Sequence, residues 1–138
     1  MEQIKKPTII TIAKEKGGVA KTTSAINIAA GLSIRGKKVL LVDIDSQTHL
    51  TNWLDFTFDG KPTIAELIYQ TVAQFPVNHA DFIRHNDKLN LDYIPATPML
   101  AGAVTTLHAD QTDETTVFSR IFSDGFFSKY DYILIDCC

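Results

Sequence analysis

The apolar positions of the chain fall into short continuous runs separated by stretches of helical periodicity. Thr8-Ile9-Ile10-Thr11-Ile12-Ala13 is β-branched and predicts a first strand, which leads through a glycine-containing turn into a helix from about Lys21 to Arg35. Ala25, Ile28, Ala29 and Leu32 form one stripe of that helix and Ile26, Ala30 and Ile34 an adjoining one, so a broad covered face is expected, with Gly36 as the stop. Val39-Leu40-Leu41-Val42 is uninterrupted, as in strands buried on both faces. Thr63-Ile64-Ala65-Glu66 has the spacing of a capping box and opens a helix with the stripe Ile64, Leu67, Ile68, Val72 and Phe75. The polar stretch from Pro76 to Asn90 reads as a connection, and Leu91-Asp92-Tyr93-Ile94 as a strand ended by Pro95. Met99 to His108 and Asp113 to Ser123 carry helical patterns, Gly125 marks a break, and Tyr132 to Asp136 is a final strand.

Strands alternating with helices predict an α/β fold in which an open parallel sheet is wrapped by helices. The 138 residues fit one domain, residues 1–138, and 45% hydrophobic content suffices for a modest core. A net charge of −3 gives no bulk electrostatic reason for strong binding to nucleic acid or to an anionic membrane. The start of the chain is polar and the apolar stretch after it is too short for a leader or a membrane span, so a cytoplasmic location is expected. Cys137 and Cys138 are adjacent, which suits reduced thiols better than a disulfide. His49, His79, His85 and His108 are scattered without metal-ligand spacing and read as surface or loop residues.

The densest chemistry lies in Lys16-Gly17-Gly18-Val19-Ala20-Lys21-Thr22-Thr23, at the change from strand to helix. Backbone amides of such a turn converge on anionic oxygens, helped by the helix N-terminus. Gly17 and Gly18 allow close approach of the backbone, Lys21 can reach the β- and γ-phosphates, and Thr22 can offer a hydroxyl to Mg²⁺. The common phosphate-loop pattern has glycine where this chain has Glu15 and Ala20; alanine at 20 requires a negative φ. Asp43 and Asp45 follow the second strand and Asp136 ends the last, so all three face the same crevice as the turn.

Lys16-Gly17-Gly18-x-x-Lys21-Thr22 resembles the deviant Walker A sequence of the ParA and MinD group. Asp43-Ile44-Asp45-Ser46-Gln47 is similar to the D-x-D-P-Q stretch of ParA proteins, with serine in place of proline, and Tyr132 to Asp136 resembles their Walker B strand. Pro62 to Ile68, Leu91 to Ala96 and Leu100-Ala101-Gly102-Ala103 extend the likeness along almost the whole chain. The resemblance implies an ATPase acting in plasmid or chromosome partitioning, with ATP and Mg²⁺ as cofactors. Residues 16–23 would bind the nucleotide, Thr22, Asp43 and Asp136 would form the magnesium site, and Asp45 would position the attacking water. Lys16 would reach the phosphates of a partner subunit in an ATP-sandwiched homodimer, making Lys16, Lys21 and Asp45 the catalytic set.

The resemblance also implies four parallel strands in the order 3-2-4-1, a ParB-like centromere-binding partner, and sequence-independent DNA binding through a carboxyl-terminal part that family members carry beyond the Walker B strand. A MinD-type positioning ATPase would need a carboxyl-terminal amphipathic helix, and a nitrogenase-reductase type would need separated cluster cysteines. For the 138-residue chain two readings of activity stay open, an ATPase and a nucleotide-binding fragment without turnover.

Overall fold

The structure is a computed structural model that describes residues 5–13, 19–109 and 113–137. Its elements are β1 (Thr8–Ile12), α1 (Val19–Ile34), β2 (Val39–Asp43), α2 (His49–Trp53), α3 (Ile64–Val72), β3 (Arg84–Asn86), β4 (Leu91–Ile94), α4 (Leu100–Ala109), α5 (Glu114–Phe122) and β5 (Tyr132–Asp136), with short 3-10 turns at His79–Phe82 and Gly125–Lys129.

The sheet runs β1-β5-β2-β4-β3. Its first four strands are mutually parallel and stand in the order expected, with β5 between β1 and β2. The fifth strand corrects the expectation of a purely parallel sheet, because β3 pairs antiparallel with β4 inside the stretch read as a connection. Arg84-His85-Asn86 carries no apolar signal, as suits an edge strand. It is fixed by Arg84, which clamps Asp59 at 2.8 and 2.9 Å and donates to the carbonyls of Pro62 and Phe82 at 2.6 and 3.0 Å.

Strand periodicity sorts the core into two layers. Leu40, Val42, Ile94, Ile133 and Ile135 pack with Ile64, Leu67 and Ile68 of α3, Leu100, Ala103 and Leu107 of α4, and Val117, Ile121 and Phe122 of α5. Val39, Leu41, Tyr93 and Leu134 face the opposite way, onto Ile26 and Ala29 of α1 and Leu50 and Leu54 near α2. Continuing the alternation by one residue puts Asp43 and Asp136 on the α1 and α2 face, side by side in the β2–β5 register.

Several local signals operate as the sequence indicates. Glu66 accepts from the Thr63 amide at 2.8 Å and the Thr63 hydroxyl at 2.7 Å, closing the start of α3. Gly36 ends α1 with φ of 83°, and the Lys37 amide returns to the Leu32 carbonyl. The covered face of α1 is narrower than predicted. Its buried stripe is Lys21, Thr22, Ala25, Ile26, Ala29 and Ser33, which leaves Ile28 and Ile34 outside it and exposed. Phe75 likewise falls beyond α3 and is exposed. The short α2 was not apparent in the sequence because it spans barely more than one turn and begins after Thr48 in a left-handed conformation.

Candidate functional site

The carboxyl ends of β1, β5 and β2 and the first turn of α1 meet at one place. The register sets Ile12 beside Asp136 and Asp136 beside Asp43. Of the residues predicted to cradle phosphates, Lys16, Gly17 and Gly18 lie outside the described residues. Val19 and Ala20 open α1, so Ala20 takes the helical, negative-φ backbone that alanine requires.

Lys21 and Thr22 point inward from that first turn and are buried. The Lys21 ammonium lies 3.3 Å from Asp45 Oδ2 and 3.2 Å from Asp136 Oδ1, and it donates to the Cys137 carbonyl. Thr22 Oγ1 donates to Asp136 Oδ2 at 3.0 Å. Thr23 is on the exposed side of the same turn. Burial works to lower the pKa of Lys21, but the close charge of Asp136, and then the hydrogen bond and charge of Asp45, outweigh it and leave the pKa raised. Asp45 is pushed upward by burial and held lower overall by hydrogen bonds from the Gln47 amide and Lys21. Lys21 is therefore a fixed cation and Asp45 a fixed anion.

Asp136 is completely buried, and its Oδ1 makes no hydrogen bond, meeting Lys21 only as a neighbouring charge. Asp136 and Asp45 together set two carboxylates against one ammonium, with Asp43 beside Asp136 in the β2–β5 register, and the excess negative charge suits a divalent cation. Among the described residues no group of three or more His, Cys, Asp or Glu side chains is placed to form a protein-only metal cage. A magnesium ion shared between one or two protein oxygens and a polyphosphate does not need one.

Asp43, expected at the magnesium site, stands beside Asp136 and is held by donors of the protein itself. Its Oδ1 accepts from the Asp45 amide at 3.0 Å, and its Oδ2 accepts from the Thr51 amide at 3.0 Å and the Thr51 hydroxyl at 2.6 Å. Both oxygens are thus engaged by protein donors. Burial raises its pKa, with the Thr51 and Asp45 bonds opposing. Thr51 was missed in the sequence. The signal was a hydroxyl residue following Leu50 and preceding Leu54 by three, on the buried side of a short helix.

A β-strand followed by a helix whose first turn carries Lys21 and Thr22, with carboxylates at neighbouring strand ends, defines a P-loop-class nucleotide-binding α/β fold. A family model described as an AAA domain matches residues 7–138, and the chain belongs to that family as a ParA/Soj-like member. It is 38% identical over 129 residues to the sporulation initiation inhibitor protein Soj of Bacillus subtilis, covering 94% of this chain and 49% of Soj. Cobyrinic acid a,c-diamide synthase from Mycobacterium smegmatis, solved with an ATP analog and magnesium, superposes with a TM-score of 0.80 at 30% identity, over 95% of this chain and 51% of that one. A plasmid partition protein from Borrelia burgdorferi gives a TM-score of 0.68 at 34% identity, over 94% of this chain and 55% of its own. The chain spans about half the length of these relatives. Among the described residues no helix is long and apolar enough to cross a membrane.

Proposed function

We propose that this chain binds ATP with magnesium at the turn between β1 and α1 and that, in the protein it represents, it serves a ParA-type ATPase of plasmid or chromosome partitioning. The observation that carries this reading is the convergence of Lys21, Thr22, Asp45 and Asp136 at the strand-to-helix turn.

The buried, unbonded Oδ1 of Asp136 beside the Thr22 hydroxyl fits a magnesium ion, which these two residues would hold, with Asp43 behind them. When bound, that ion neutralises charge on the phosphate oxygens. Residues 16–23 supply the amides around the phosphates, and Lys21 places its positive charge against the β- and γ-oxygens. Asp45, ionised and partly open to solvent, accepts a proton-bearing edge of water and orients it for in-line attack. Lys16 belongs to the deviant Walker A pattern and acts on the nucleotide of a partner subunit in an ATP-dependent homodimer. A ParB-like protein and sequence-independent DNA binding complete this reading for a full-length, nucleoid-associated cytoplasmic protein.

The test is calorimetric titration with a non-hydrolysable ATP analogue, with and without Mg²⁺, beside sizing chromatography of the same sample. Magnesium-dependent binding supports the reading, and no binding under either condition removes it.

A further inference from the structure

Thr51 is 3% exposed and connects three separate parts of the fold. From α2 its amide and hydroxyl both reach Asp43 Oδ2 at the end of β2, at 3.0 and 2.6 Å. The same hydroxyl oxygen accepts from the Ala96 amide, just beyond β4, at 2.9 Å. Its one proton and a lone pair are therefore both engaged. Two donors on one carboxylate oxygen stop Asp43 from rotating, which fixes where its other oxygen points. That oxygen holds the Asp45 amide at 3.0 Å. Asp45 in turn accepts from the Gln47 amide at 2.9 Å and faces Lys21 at 3.3 Å.

We infer that Thr51 is a positioning residue for hydrolysis of the bound nucleotide, fixing through Asp43 the backbone on which Asp45 stands. This inference rests on the ATPase reading, in which Asp45 orients the attacking water. Thr51 is buried and acts through Asp43. It determines where Asp45 is when nucleotide and water arrive. An Asp43 carboxylate left with only the backbone amides of residues 45 and 51 is held less firmly, and a displacement of about 1 Å at an orienting group is worth on the order of 100-fold in rate.

Two variants separate positioning from mere stability. Thr51→Val keeps the volume and loses the hydroxyl, and Thr51→Ser keeps the hydroxyl. Amide hydrogen exchange on the nucleotide-free protein reads the clamp without requiring any turnover. In Thr51→Val the amides of Asp45, Gln47 and Ala96 exchange at least about tenfold faster, while those of Leu40, Leu41 and Ile133 in the sheet centre change by less than about twofold. Thr51→Ser restores protection at all three reporters.

In the full-length protein Thr51→Val lowers kcat by at least about tenfold with KM within about twofold, and Thr51→Ser recovers most of the rate. Unchanged exchange at Asp45 and Gln47 in Thr51→Val, or turnover at the parent rate, overturns the inference. Uniformly faster exchange across the sheet, not rescued by serine, also overturns it by showing a general packing role. If the unmodified protein fails to hydrolyse ATP, the ATPase reading fails, and the exchange comparison still decides whether Thr51 places Asp45.

Discussion

Thr22 and Asp136 are joined by a 3.0 Å hydrogen bond that fastens the first turn of α1 to the end of β5. The partner oxygen of the same carboxylate is buried without a hydrogen bond. Asp136→Asn removes the charge that a magnesium ion would meet there. It is expected to weaken the magnesium-dependent part of ATP-analogue binding by about 10- to 100-fold, a range typical of lost metal-supporting groups. Magnesium titrations at fixed nucleotide measure this, and an unaltered magnesium dependence would exclude Asp136 from the ion's site.

Lys21→Ala takes the ammonium away from between Asp45 and Asp136. Nucleotide affinity should fall at least about tenfold, equivalent to about 1.4 kcal/mol. Unchanged affinity by calorimetry would contradict the phosphate-binding role of the turn.

The pair formed by Arg84 and Asp59 ties the loop before α3 to β3. Hydrogen bonding to Arg84 holds the Asp59 pKa down to about 2. Because the folded value lies below the unfolded value of about 3.9, the pair stabilises the fold above that pH, and the contribution disappears as pH falls toward 2. Urea denaturation across this window should show a shallower loss of stability in Asp59→Asn than in the parent protein. Equal slopes would show that the pair is not linked to folding.

Among the described residues β1 pairs only with β5, and Ile9 on it is 44% exposed. A pocket of about 230 Å³ lined by Ile9, Thr11, Phe118, Phe122 and Ile135 adjoins that edge. An unpaired edge next to apolar surface invites association. The 138-residue chain should therefore self-associate with or without ATP, and Ile9→Lys should shift it toward monomer in sedimentation experiments. Strong hydrogen-exchange protection of the Ile9 and Thr11 amides, which alternate with those bonded to β5, in a dilute monomer would contradict this.

The parts of the fold that were legible in the sequence are those in which one residue type has one structural use. Val39 to Val42 could only be a strand buried on two faces, and Thr63 with Glu66 marks a helix start through a local exchange of hydrogen bonds. Lys21, Thr22, Asp45 and Asp136 were also legible, since strand ends and a strand-to-helix turn bring them together whatever the loops do. β3 was hidden because what places it is the distant contact of Arg84 with Asp59 and with the Pro62 carbonyl. Thr51 was hidden for a similar reason, as its partners Asp43 and Ala96 lie eight and 45 positions away. The donors that hold Asp43, the Thr51 amide and hydroxyl and the Asp45 amide, could not be read from its place after the second strand.

The ammonium of Lys21 rests among the protein's own anions, Asp45 and Asp136, and on the Cys137 carbonyl. A bare phosphate entering this site has to compete with those partners for a cation already neutralised. Under the proposed reading, a polyphosphate that brings its own metal would trade partners instead, with Asp136 available to hold the metal and Lys21 free to turn to the incoming oxygens. A preference for metal-loaded nucleotide over inorganic phosphate would then follow from the two carboxylates that already hold Lys21.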